Sequence, residues 1–322
     1  MNRFARWTET NRWIWSALGV ALLWLVLAAA TARLTLESLS GVAQSASFLV
    51  LPALGQMFVV TTGRGNIDLA IPSTITLAAF LSMNILGGSD AMLPVCLAAI
   101  VAAGLGIGAV NAVLVVRLRI PAMIATLGVG YVLATAALLA NRHFTSYVVA
   151  PALAFIANRR VLGVPVMAIA AVAAVLAAGF VLRRTVYGRL LSAVGQSLRA
   201  AELSGVRSGR IIASTFLTSG VLAALDGMVL AAHAGGAFLE VGSPYLLQSV
   251  GAVVLGGTLI SGGNATALGT LTGAFLLVLL VTAMQVIGLP IGVQEILEGV
   301  VIVLVLALSG RMSGTRRPGT AR

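Results

Sequence analysis

The sequence predicts an all-α membrane protein of about ten transmembrane helices, and three observations predict it. The mean hydropathy is +1.06, with 59% apolar and only 9% charged residues, where a soluble domain has roughly half and a quarter. Apolar stretches close to the ~20 residues that cross a bilayer recur at 13–32, 45–61, 68–86, 91–116, 121–140, 163–182, 211–234, 244–260, 264–287 and 292–309. With the N-terminus cytoplasmic, sixteen of the twenty arginines fall in inside segments, leaving Arg33, Arg142, Arg159 and Arg160 outside. That is the charge bias that orients membrane proteins.

Taken in order, Arg3, Arg6 and Arg12 precede the first stretch, which has no convincing cleavage context and reads as a retained helix rather than a signal peptide. Trp7, Trp13 and Trp15 suit an interfacial aromatic belt. Spans two to five start outside and spans seven to ten start inside, with one helix between, as in an inverted repeat. Gly104-x-x-x-Gly108 and Gly269-x-x-x-Gly273 allow close helix packing where lipid supplies no hydrophobic drive. The chain divides into a cytoplasmic tail at 1–12, one polytopic domain at 13–309 and a cytoplasmic tail at 310–322.

The same composition excludes several functions. Without a lysine there is no G-x-x-x-x-G-K-[ST] phosphate loop, so ATP-derived work needs a partner. No G-x-S-x-G occurs, and His143, His233 and Cys96 are too scattered for a nucleophile–base pair or a metal cluster. No catalytic residue, cofactor or metal is expected. Arginines set between apolar runs without interleaved aromatics do not make a nucleic-acid surface. The partner that composition does imply is the lipid bilayer.

Polar groups inside spans are costly and need a reason. They are Gln56, Asn66, Asp68, Asn84, Asn111, Asp226, Gln248, Gln285, Glu295 and Glu298. Asp68 follows the Gly-rich "TTGRGN" and precedes Pro72, which is best tolerated in a first helical turn. It either fixes a broken helix through the exposed N–H groups of the next start or lines a substrate path. An uncharged hydrogen-bonding lining suits a neutral polyol better than a proton relay.

"SAVGQSLRAAELSGVRSGRI" interrupts the apolar pattern at 192–211. Ser197 can cap a short helix from about Leu198 to Ser204, and Gly205 can end it in the left-handed geometry. So short a helix is marginal in water and needs a dock. Ala200 and Ala201 keep one surface small, while Arg199 and Arg207 can reach acidic or carbonyl groups. On charge alone the stretch reads as an ordinary cytoplasmic loop.

Four segments carry a resemblance to the permease subunits of binding-protein-dependent ABC importers of the ribose and simple-sugar type. "TTGRGNIDLAIPS" resembles that family's T-G-G-I-D-L-S-V-G-S, and "GAVNAVLVVRLRIPAMIATLG" its G-x-x-N-G…I-P-x-F-I-x-T-L-G. "AVGQSLRAAELSGV" resembles A-x-G-x-N-x-x-A-A-x-x-S-G-I, and "GAVVLGGTLISGGNATALGTLTGAFLL" shares the G-G-T and S-G-G elements. Arg64 and Gly65 lengthen the Gly turn, Ala70 and Pro72 replace Ser and Gly, Gln196 replaces Asn, and Ala112 replaces the Gly after Asn. These departures bear on the substrate rather than the class.

The resemblance implies a vitamin-B12-importer-like permease of the bacterial inner membrane, with both termini cytoplasmic. Its implied partners are an ABC ATPase, an extracytoplasmic substrate-binding protein and a second permease copy. It implies a coupling helix for the ATPase at Gly195, Arg199, Ala200, Ala201, Glu202, Gly205 and Arg207. Gln56, Asn66, Asp68, Asn111, Thr126 and Gln248 are the candidates for the helix break or translocation path. Branched-chain amino-acid and nucleoside permeases share similar Gly-rich loops, and a passive channel is the remaining alternative.

Overall fold

The computed structural model describes residues 13–31, 36–142 and 148–314. The tail expected at 1–12, Arg33, His143 and the residues after 314 lie outside them. Among the described residues the helices are α1 (Trp13–Thr31), α2 (Leu36–Thr61), α3 (Ile71–Leu86), α4 (Leu93–Ala112), α5 (Ala122–Arg142) and α6 (Pro151–Asn158). They continue with α7 (Val166–Arg184), α8 (Val186–Gln196), α9 (Leu198–Leu203), α10 (Ser208–Ala234), α11 (Tyr245–Leu255), α12 (Ala267–Val286) and α13 (Ile291–Gly314). Before α7 a small antiparallel hairpin pairs β1 (Arg160–Val161) with β2 (Val164–Pro165).

Each of the ten apolar stretches falls on a helix. Among the described residues six helices, namely α2, α4 with its flanking turns, α5, α7, α10 and α12, are long and apolar enough to cross a membrane, while α1, α3 and α11 are apolar but shorter. The chain is therefore an all-α membrane protein. Several boundaries differ from the hydropathy reading. Helix α2 begins at Leu36, α13 runs on to Gly314, and α11 stops at Leu255, just before Gly257 takes φ 85°, with Gly256 packed against the backbone of Gly269 closer than any side chain permits. Helices α6 and α8 are additional. Helix α8 starts with Thr185 Oγ1 accepting from Gly188 N at 3.2 Å and turns Leu191 and Val194 inward.

The core is built on small residues. A Cβ on Gly104 would lie 2.6 Å from the Gly220 carbonyl oxygen, and one on Gly108 equally close to that of Phe216, so α4 and α10 touch backbone to backbone. Gly269 and Gly273 do the same for α12 against Gly256 and Ala252. Both small-x-x-x-small pairs thus serve packing, as dispersion between close backbones requires. Helix α10 packs on α2, α3 and α4, whereas α2 packs on α11 and α12, so each of these two long helices leans on the group begun by the other. Helix α1 is held to α12 by a hydrogen bond of 2.6 Å between Ser16 and Thr272 hydroxyls. The outward residues are large and apolar, Leu22, Ile124, Val132 and Leu176 among them, as for helices solvated by lipid.

Candidate translocation and coupling site

The break between α2 and α3 is closed by side chains from three helices. Gly63, Arg64 and Gly65 all take positive φ (74°, 59° and 72°) and turn the chain sharply. Asn66 Nδ2 then donates to Thr62 Oγ1 at 2.8 Å. Asp68, buried, accepts from Ala70 N on Oδ1 at 3.0 Å and from Ser219 Oγ of α10 on Oδ2 at 2.7 Å. Its own N–H donates to Gln56 Oε1 of α2 at 3.2 Å, and Leu69 N donates to Thr126 Oγ1 of α5 at 2.9 Å. Backbone groups freed by the break are thereby satisfied inside the protein, as the bilayer interior demands.

Four of the six sequence candidates therefore meet here: Gln56, Asn66, Asp68 and Thr126. The other two lie elsewhere. Asn111 is buried on α4, and Gln248 on α11 donates from Nε2 to Glu298 Oε2 of α13 at 3.4 Å. Ser219 escaped the sequence reading. Its signal is a polar stripe on α10, since Thr215, Ser219 and Asp226 are each fully buried at near-helical spacing. Neither Asp226 oxygen has a hydrogen-bond partner among the described residues.

At one end of the bundle, α9 follows α8. Ser197 Oγ accepts from Ala200 N at 3.3 Å at its start. At its close Gly205, φ 82°, donates to Glu202 O at 2.9 Å, and Val206 N donates to Ala201 O at 3.0 Å, the paired bonds of a left-handed helix stop. The helix ends at Leu203, one residue short of the expected bound.

Its faces differ from the sequence expectation. Ala200 points outward, but Ala201 is 5% exposed and packs with Val59, Val194, Ile212 and Phe216. The two alanines are neighbours about 100° apart around a helix, and here Ala201 alone of residues 199–203 turns inward. Gly195 also looks inward, with no room for a Cβ between Thr61 O and the backbone of Gly263. The outward set is Arg199, Ala200, Glu202, Leu203, Gly205 and Arg207, with Leu203 82% exposed. Glu202 Oε1 accepts from Ser208 Oγ at 2.5 Å, tying the helix to the start of α10.

Three glycine-bearing segments meet beneath α9. Gly263 N donates to Thr61 O at 2.9 Å, and a Cβ on Gly63 would lie 2.7 Å from Ser261 O and 2.9 Å from Gly195 O. The α2–α3 break, the α8–α9 elbow and the α11–α12 loop thus form one junction. Arg64, Arg117, Arg119 and the arginines from 183 to 210 belong to the segments at this end. Arg142, Arg159 and Arg160 belong to the opposite end, where His233 Nδ1 pairs with Asn158 Oδ1 at 2.7 Å.

Long apolar helices, with irregular backbone admitted only where polar side chains satisfy it, define a polytopic membrane protein. The chain belongs to the family described as the permease component of branched-chain amino acid transport systems, whose model matches residues 38–306. It is 34% identical over 303 residues to the autoinducer 2 import system permease protein LsrC of Enterobacter sp. (strain 638), covering 94% of this chain and 88% of that one. It is 32% identical over 301 residues to the ribose import permease protein RbsC of Escherichia coli (strain K12), covering 91% and 92%. No solved structure matches it.

Proposed function

We propose that the chain is the membrane subunit of a bacterial ABC importer that translocates a sugar or related polyol. The observation that carries this reading is the similarity, across nine-tenths of the chain, to permeases named for ribose and autoinducer 2 import. On this reading the chain crosses the inner membrane ten times with both termini cytoplasmic, in a vitamin-B12-importer-like architecture. The reciprocal packing of α2 on α11 and α12, and of α10 on α3 and α4, supports an inverted repeat. Two copies, or this chain and a similar permease, enclose the pathway.

Helix α9 is the contact for the ATPase. Its root is the junction of Gly63, Gly195 and Gly263, so a push on α9 reaches the ends of α2 and α11 through backbone rather than flexible side chains. Rocking of these packed elements opens the pathway to one side at a time. An extracytoplasmic binding protein delivers substrate at 141–162 and 235–243.

The test is uptake into proteoliposomes holding the chain with an ABC ATPase and a binding protein from the same organism. ATP-dependent entry of radiolabelled D-ribose or another polyol is expected. Entry of L-leucine in its place overturns the substrate class, in line with the family's description, and entry without the ATPase overturns the importer class.

A further inference from the structure

After α10 the chain does not stay at the end of the bundle. Gly242 N donates to Thr76 Oγ1 of α3 at 3.2 Å, and Gly242 sits so close to the Pro72 carbonyl that no side chain fits between them. Gly227 of α10 packs against the neighbouring Ile75. Residue 242 therefore lies near the level of residue 227, roughly 10 Å back from the end of α10 at 1.5 Å per residue. The segment 235–244 folds back into the bundle and leads into the short α11. Helix α3, the other short apolar helix inside a group of four, follows the break at 62–70. Short or interrupted elements in matching places of two halves are where transporters build substrate sites.

Between the start of α3, the second half of α5 and this returning segment lies a pocket of about 280 Å³, just under the ~300–1,000 Å³ of small-molecule sites. Its polar lining is Ser73, Thr76, Glu240 and Ser243, beside apolar Ala137 and Leu138. Glu240 Oε2 accepts from Ser243 Oγ at 2.9 Å, and the Thr76 hydroxyl is committed to Pro72 O and Gly242 N. Glu240 Oε1 and the Ser73 hydroxyl have no hydrogen-bond partner among the described residues and are free for a ligand.

We infer that this pocket is a transit subsite for a neutral polyol the size of one small sugar, with Glu240 accepting from its hydroxyls and Ser73 exchanging a hydrogen bond with it. No arginine or histidine lines the pocket, so a ligand carboxylate or phosphate meets the Glu240 charge without a counterion. For a zwitterionic amino acid the ammonium can pair with Glu240, but the carboxylate finds no cation in the lining. The C–H faces of a polyol fit Ala137 and Leu138. Both Glu240 and Ser243 are exposed at the rim, which suits weak binding and release over tight capture. The inference rests on the sugar-import reading and narrows it to a place.

Saturation-transfer NMR on the full chain in nanodiscs tests it, with a mixture of D-ribose, ribitol and glycerol as one probe and L-leucine with L-valine as the other. Transfer to the polyols and not to the amino acids is expected. Glu240→Gln and Ser73→Ala should each weaken it, the former roughly tenfold, the size of one hydrogen bond to a charged group. Ile287→Ser, exposed just past the end of α12, should leave it unchanged. A silent wild type, a signal untouched by both pocket variants, or equal transfer to the amino acids overturns the subsite. If proteoliposomes import a polyol while the pocket is silent, the subsite falls and the sugar reading stands. If they import leucine alone, the sugar reading falls too.

Discussion

Ser219 donates its hydroxyl to Asp68 Oδ2 across 2.7 Å, joining residues 151 apart in sequence. The bond pins the α2–α3 break to the middle of α10, at a point where Gly55 lets α2 approach the Ser219 Cα. Ser219→Ala leaves a buried carboxylate oxygen without its donor, at an expected cost of about 1–3 kcal/mol. Asp68→Asn should be milder than Asp68→Leu, which removes the acceptor of both Ser219 and Ala70. Thermal unfolding of the purified permease reads these costs, and the double variant Asp68→Asn with Ser219→Ala should cost less than the sum. Unchanged melting in Ser219→Ala denies the bond its structural role.

Leu203 and Ala201 separate docking from folding. Leu203 projects into solvent from α9, and an exposed leucine on a capped, anchored helix is a natural contact for a partner groove. Leu203→Asp should leave melting unchanged and abolish co-purification of the ATPase. Ala201→Trp should instead destabilise the permease itself by about 1–3 kcal/mol or more, because it overfills a packed core. Wild-type ATPase capture by Leu203→Asp removes α9 as the contact.

Gly195 tests transmission. Gly195→Ala places a methyl between Thr61 O and Gly263, forcing the α8–α9 elbow off the junction. The ATPase, proposed to meet the outward face of α9, should still bind. Substrate-stimulated ATP hydrolysis should fall more than assembly does, measured on the same reconstituted complex. Equal loss of both, or of neither, argues against a rigid relay.

Topology can be read with two cysteines. Cys96 is buried and offers no background label. Leu203 at one end and Leu162, fully exposed on the hairpin at the other, are better sites than Ser208, which is buried and bonded to Glu202. Leu203→Cys should react with an impermeant maleimide only from the cytoplasmic side, and Leu162→Cys only from outside. The reverse pattern inverts the proposed orientation.

Much of the site was legible because its signals are local. "TTGRGN" announces a break because a run of positive-φ residues cannot continue a helix, and Ser197 and Gly205 bound α9 because their caps involve backbone only a few residues away. Gln56, Asn66 and Asp68 stood out as costly polar groups, and Thr126 stood beside them as a candidate for the break or path. Their common partner Ser219 was not, since serine in an apolar helix often bonds its own preceding turn and nothing in sequence aims it at Asp68. The pocket around Glu240 was equally hidden: residues 235–243 read as an outer loop between two apolar stretches, and only their packing on Pro72 and Thr76 brings them back into the bundle.

By itself the sequence determined the solvent, the helical class, the approximate spans and the break and caps, because burial in lipid and backbone satisfaction act residue by residue along the chain. Tertiary structure alone decided which way each face points: Ala201 inward and Leu203 outward, Gly195 against Gly263, Gly256 against Gly269. In a chain apolar on nearly every helix face, hydrophobicity cannot tell lipid from protein neighbour. That choice is left to shape, to where glycines let backbones meet and to where a buried polar group finds its partner.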